Sequence, residues 1–163
     1  MNNEIKDDNK NSINMSDFSV WYKYIVRLEI ETKEKEGIIS GIGILCNIPS
    51  KKIQALITFN HIINFDYLNK EKKLILYNNN DQLEIDMKIN RYKFTDENSN
   101  ITIIEILEED KIDNFIEIDT VINSGKFDDI KINQIFLNDN KNIESFEGEI
   151  IENNNKYISS IES

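Results

Sequence analysis

The chain has 163 residues, 30 acidic against 19 basic side chains and a formal net charge of -11. That length suits one compact domain, or one and a half, and the charge argues against a nucleic-acid binder, which needs a Lys/Arg surplus to displace counterions from phosphates. The acidic surface also repels anionic membranes, and no stretch reaches the roughly 18 apolar residues of a membrane span.

Residues 1–18 mix Asn, Asp, Lys and Ser with isolated apolar side chains, so they cannot bury enough to offset the entropy of ordering and are expected to form a polar tail. From there a period of two begins: Val26, Leu28 and Ile30 alternate with Arg27, Glu29 and Glu31, which predicts a strand with one wet face. Gly37 to Asn47 reads as a second strand carrying Gly41 and Gly43, followed by a turn at Pro49-Ser50-Lys51-Lys52. Ile53 to Thr58 is a short apolar run of the buried-strand type, and the only histidine, His61, lies just beyond it. Asn64 to Lys73 is polar and has room for one helical turn.

Leu74 to Tyr77 predicts a further strand, and Leu83, Ile85, Met87 and Ile89 alternate in a longer one. Arg91 to Ser99 reads as a polar connection, after which Ile101 to Leu107, the most apolar run, reads as a central strand. Six strands at short spacing without a helix-period segment predict an all-β fold, a small antiparallel six-stranded barrel or sandwich. Scarce Ala and abundant Ile favour the same class. After Lys111 the candidate strands are Phe115 to Ile118, Ile130 to Leu137, Phe146 to Ile151 and Tyr157 to Ile161, too little for a second barrel of equal size.

Taken alone, a lone histidine at a strand end is more often a partly buried structural residue than a catalytic one. Its neighbours change that reading. Ser40-Gly41-Ile42-Gly43-Ile44-Leu45, Ala55-Leu56-Ile57-Thr58-Phe59-Asn60-His61, Asn100-Ile101-Thr102-Ile103-Ile104-Glu105-Ile106 and Gly148-Glu149-Ile150 occur in that order. Together they resemble the segments of the trypsin-like, chymotrypsin-fold serine peptidases. The second resembles the family's strand into Thr-Ala-Ala-His, and the third its Asp-Ile-Ala-Leu-Leu segment. The resemblance implies a first trypsin-like β-barrel over residues 19–110 and a partial second barrel over 111–163. It also implies peptide-bond hydrolysis through an acyl-enzyme, with His61 as the base and Asn100 in the place of the acid, and without a metal or organic cofactor.

In that chemistry an imidazole accepts the proton of a serine hydroxyl while a carboxylate holds the imidazole in the right tautomer. This sequence departs from it twice. Asn100 replaces the acid, and an amide cannot stabilise an imidazolium as a carboxylate does; Asp96 and Glu97 are the nearest carboxylates that could compensate. No Gly-x-Ser-Gly nucleophile loop occurs, and the resemblance implies a copy truncated shortly before it. Ser159, Ser160 and Ser163 lack the flanking glycines of an oxyanion loop. Two functions are therefore expected: a serine endopeptidase domain inactive in this form, or a non-catalytic module, derived from the same fold, that binds a peptide or protein.

The remaining chemistry is sparse. Cys46, the only cysteine, excludes an internal disulfide framework and reads as a buried structural thiol. One His and one Cys make no zinc set, and the acidic runs Glu108-Glu109-Asp110 and Asp128-Asp129 read as solvated faces. With no signal-peptide core, a cytoplasmic setting is expected. Unpaired strand edges in the partial barrel are expected to promote self-association.

Overall fold

The structure, a computed structural model, describes residues 20–32, 37–70, 73–78, 81–118, 131–153 and 156–160. The expected tail at 1–18, the Asp128-Asp129 pair and Ser163 lie outside the described residues. The fold is all-β. The first unit comprises β1 (Ile25–Thr32), β2 (Gly37–Ile48), β3 (Ile53–Phe59), β4 (Lys73–Asn78), β5 (Asp81–Asp86), β6 (Lys93–Asp96), β7 (Ile101–Ile106) and β8 (Ile116–Glu117). They form one sheet in the order β5-β4-β1-β2-β3-β7-β6, with β8 beside β2. Every pairing along that path is antiparallel, while β8 runs parallel to β2.

The sheet curls because strands twist, and its concave side collects one residue in two. Val26, Leu28 and Ile30 from β1 meet Leu45, Leu56, Leu74, Leu76, Ile85, Ile104 and Ile106 in a single core. Burying each such side chain contributes about 1.5–3 kcal/mol, which is what holds a barrel without disulfides. On β2 two of the inward positions are Gly41 and Gly43. A Cβ at Gly43 would stand 2.5 Å from Leu56 Cδ1 and 3.2 Å from the Ile57 carbonyl, and one at Gly41 would stand 2.8 Å from the Ile62 side chain. The glycines let β3 and the turn after it approach β2 closely.

Two expectations need correction. The alternation through Met87 and Ile89 does not continue the strand, because Asp86 ends it: its carboxylate accepts from Lys88 N–H at 3.0 Å, and its carbonyl accepts from Ile89 N–H. Such an Asx turn is a local bond that competes with the ladder. The segment read as a polar connection contains β6, which pairs with β7 from Lys93↔Ile104 to Asp96↔Ile101.

Between β5 and β6 side chains close what the ladder leaves open. Arg91 donates to the Asp86 carbonyl at 3.1 Å, to the Glu105 carbonyl at 2.9 Å and to both carboxylate oxygens of Asp110 at 2.6 and 3.1 Å. Both side chains are buried, and Asp110 lies in η1 (Glu108–Asp110), where it also accepts from Leu107 N–H. Lys93 Nζ reaches the Met87 carbonyl at 2.8 Å.

A separate three-stranded antiparallel sheet comprises β9 (Lys131–Leu137), β10 (Ile143–Asn153) and β11 (Lys156–Ser160), in the order β11-β10-β9. Asn138 Oδ1 ties its first hairpin by accepting from Asn140 and Asn142 N–H, and Lys141 Nζ lies 3.7 Å from Glu29 of β1.

Candidate active site

The site follows from the register between β3 and β7. Phe59 faces Ile101 across the ladder, so the residues just after Phe59 meet the residue just before Ile101. Asn60 N–H donates to the Asn100 carbonyl at 3.1 Å and continues the pairing. The chain then turns, with Ile62 and Ile63 N–H both donating to the Phe59 carbonyl at 3.1 Å. His61 stands in that turn. A short helix, α1 (Phe65–Asn69), follows, capped by Asn64, whose Oδ1 accepts from Tyr67 N–H at 3.0 Å.

Asn100 closes the four-residue turn 97–100, its N–H donating to the Glu97 carbonyl at 3.2 Å. Its φ of 52° is left-handed, a region that Asn tolerates because its short polar side chain bonds locally. That backbone aims the amide at His61. Asn100 Oδ1 accepts from His61 N–H at 3.1 Å and lies 3.1 Å from His61 Nδ1, while Asn100 Nδ2 is 3.0 Å from the same ring nitrogen. The imidazole is exposed and stacks on Phe59, with ring centroids 5.3 Å apart and planes at 21°. The structure thus brings together the two residues that the sequence nominates.

The amide presents both an acceptor and a donor to Nδ1. Through Oδ1 it holds the Nδ1–H tautomer, which leaves Nε2 free to accept a proton; through Nδ2–H it holds the opposite tautomer. A carboxylate would support only the first, and would also stabilise the charged ring.

The carboxylate at Asp96 is committed to the turn. It accepts from Ser99 Oγ–H at 2.6 Å and from Asn98 N–H at 3.2 Å, and the Ser99 hydrogen bond is the largest cause holding its pKa below the ordinary 3.8. Cys46 is buried, points its thiol at the Ala55 carbonyl at 3.7 Å, and burial pushes its pKa up to about 11. A thiol so held is a poor nucleophile. Ser159 and Ser160 sit in register on β11, opposite Ile150 and Glu149, within a regular ladder.

Sequence reasoning did not single out the hydroxyls behind the histidine turn. Asn60 Nδ2 donates to Thr95 Oγ1 at 2.5 Å, Thr95 and Thr102 Oγ1 lie 2.8 Å apart, and Thr102 Oγ1 donates to the Ile63 carbonyl at 2.5 Å. The available signal was a threonine inside the most apolar run of the chain. Among the described residues no group of three or more His, Cys, Asp or Glu side chains could hold a metal ion, and no helix is long and apolar enough to cross a membrane.

The curled antiparallel sheet has the form of half of a protease-type β-barrel. Among solved structures the chain is similar to the crystal structure of the serine endoprotease from Yersinia pestis, with a TM-score of 0.51 and 16% sequence identity. The likeness covers 82% of this chain and 42% of that one, so the chain spans less than half the length of that structure. No family model matches the chain, and no curated protein matches it.

Proposed function

We propose that this chain is a domain of the trypsin-like serine endopeptidase type, with His61 in the base position and Asn100 in the place of the acid, and that in this form it does not hydrolyse peptides. The observation that carries the reading is the Asn100 amide 3.1 Å from His61 Nδ1, where the ends of β3 and β7 bring these two side chains together. Exchanging acid for amide at this point lowers turnover about 10⁴-fold in serine peptidases. The test treats the full chain with a fluorophosphonate serine probe. No labelling is expected, and labelling that disappears in His61→Ala would overturn the proposed inactivity.

A second reading, a non-catalytic module that binds a peptide or protein, is favoured by the apolar outer face beside His61. Ile44, Ile57, Ile103 and Phe94 align across β2, β3, β7 and β6, and Phe59 and Ile101 form the adjacent row. Phe59, Phe94, Ile101 and Ile44 are each about two-fifths exposed (44%, 43%, 38% and 40%). Extended peptides titrated calorimetrically should bind, and Phe94→Ser should weaken that binding; equal affinity in the variant counts against the face. The proposed partners are peptides or proteins rather than nucleic acid or membranes, and the proposed setting is cytoplasmic. Self-association through the outer strands β9 and β11 is proposed as well; a monomer by light scattering at every concentration would exclude it.

A further inference from the structure

We propose that Thr102 is a positioning residue for His61, acting through a directed chain of hydroxyls that begins and ends in the histidine turn. Thr102 is fully buried in β7, on the strand face that it shares with the core residues Ile104 and Ile106. Each hydroxyl has one proton to give. The Ile63 carbonyl only accepts, so the Thr102 proton goes there, and Thr102 must accept the Thr95 proton. Thr95 in turn accepts from Asn60 Nδ2. All donors therefore run one way, Asn60 to Thr95 to Thr102 to Ile63.

The two ends of the chain are the residue before His61 and the second residue after it. Thr95 and Thr102 are themselves cross-strand partners on β6 and β7, so the clasp is anchored on the sheet rather than on the turn. Asn100 holds the ring and backbone N–H of His61 from the front, and the hydroxyl chain holds the turn from behind. A valine at 102 would keep the shape, break the chain at its middle, and leave the Ile63 carbonyl without the Thr102 donor and the Thr95 hydroxyl proton without its acceptor. Its importance for chemistry rests on the reading of His61 as the base, whereas the fixing of the turn does not.

The test is amide hydrogen exchange and ring NMR on the full chain, comparing Thr102→Val, Thr102→Ser and Thr95→Val. In Thr102→Val the Asn60 and His61 amides should exchange about tenfold faster than in the parent, relative to Leu28 and Leu76 in the core, and the nuclear Overhauser contact between the His61 ring and the Asn100 side-chain amide should weaken. Thr102→Ser should restore both. Thr95→Val, which cuts only the Asn60 arm, should loosen the Asn60 amide and carries the test if Thr102→Val does not fold. Equal acceleration at Leu28 and Leu76, or a serine variant that behaves like valine, would overturn the proposal. Fluorophosphonate labelling bears on the peptidase reading alone, so the two can fail separately.

Discussion

Asn100 grips His61 twice, through the backbone N–H at 3.1 Å from Oδ1 and through the ring nitrogen Nδ1 within 3.1 Å of both amide atoms. The first contact needs an acceptor and the second is indifferent between acceptor and donor. Asn100→Asp keeps the first and turns the second into an acceptor only. The variant should move His61 toward the Nδ1–H tautomer, read from its ring nitrogen chemical shifts. Unchanged shifts would mean that the amide already holds that tautomer through Oδ1.

The two close-approach glycines should differ in cost. Gly43→Ala puts a methyl 3.2 Å from backbone at Ile57 and 2.5 Å from Leu56 Cδ1, in a packed core, and should destabilise by about 1–3 kcal/mol. At Gly41→Ala the nearest atoms all belong to the Ile62 side chain, which is only partly buried and can yield. Urea melts should rank Gly43→Ala below Gly41→Ala; the reverse order would mean that the turn, not the core, is the stiffer neighbour.

The Arg91–Asp110 pair should weigh more than a surface bridge, because both side chains are almost fully buried (0% and 3% exposed) and the guanidinium also ties β5 to β7. Removing one charge leaves the other buried without compensation. Asp110→Asn should therefore cost about 3–5 kcal/mol in denaturant melts. A loss within about 0.5 kcal/mol would place the pair in water.

Cys46 should resist alkylation while the chain is folded. With its pKa at about 11 against an ordinary 9.0, the thiolate fraction near pH 8 falls about 100-fold, and the thiol is buried besides. The group is raised and neutral when folded, so its contribution to stability is intact below pH 9.0 and declines as pH rises toward 11. Prompt iodoacetamide labelling at pH 8 without denaturant would contradict this placement.

Asp96 works in the opposite direction. Its pKa is lowered, so its contribution is present above the ordinary 3.8 and is lost as pH falls through the lower folded value. The turn that presents Asn100 should loosen in that acid range, visible as line broadening at Ser99 and Asn100. Ser99→Ala should raise the Asp96 midpoint toward 3.8, since the Ser99 bond is its largest cause; an unmoved midpoint would assign the shift to the backbone donors instead.

Much of this arrangement was legible because burial writes a period into strands. Val26, Leu28 and Ile30 alternate, and the runs around Leu56 and Ile104 are apolar enough to mark the central strands. His61 was noticeable as the only histidine, at the end of such a run, but His61 and Asn100 were nominated as a pair by the resemblance of their segments to those of the trypsin-like peptidases. The rest depends on pairing across the sheet. Lys93-Phe94-Thr95-Asp96 has no hydrophobic period of its own and becomes a strand through β7, while Met87 and Ile89 keep the period after Asp86 has already turned the chain. Hydroxyl chains leave no sequence period at all, so Thr102 was passed over, its one signal being a polar residue among isoleucines.

The left-handed backbone at Asn100 also acts as a filter on mutation. At φ 52° a β-branched or bulky residue is strained, while Asn, Asp and Gly are the residues that enter this region most readily. Codons for Asn and Asp differ in one base. The chain therefore stands a single nucleotide from a carboxylate beside His61, and drift at this position is steered toward the few residues that include it.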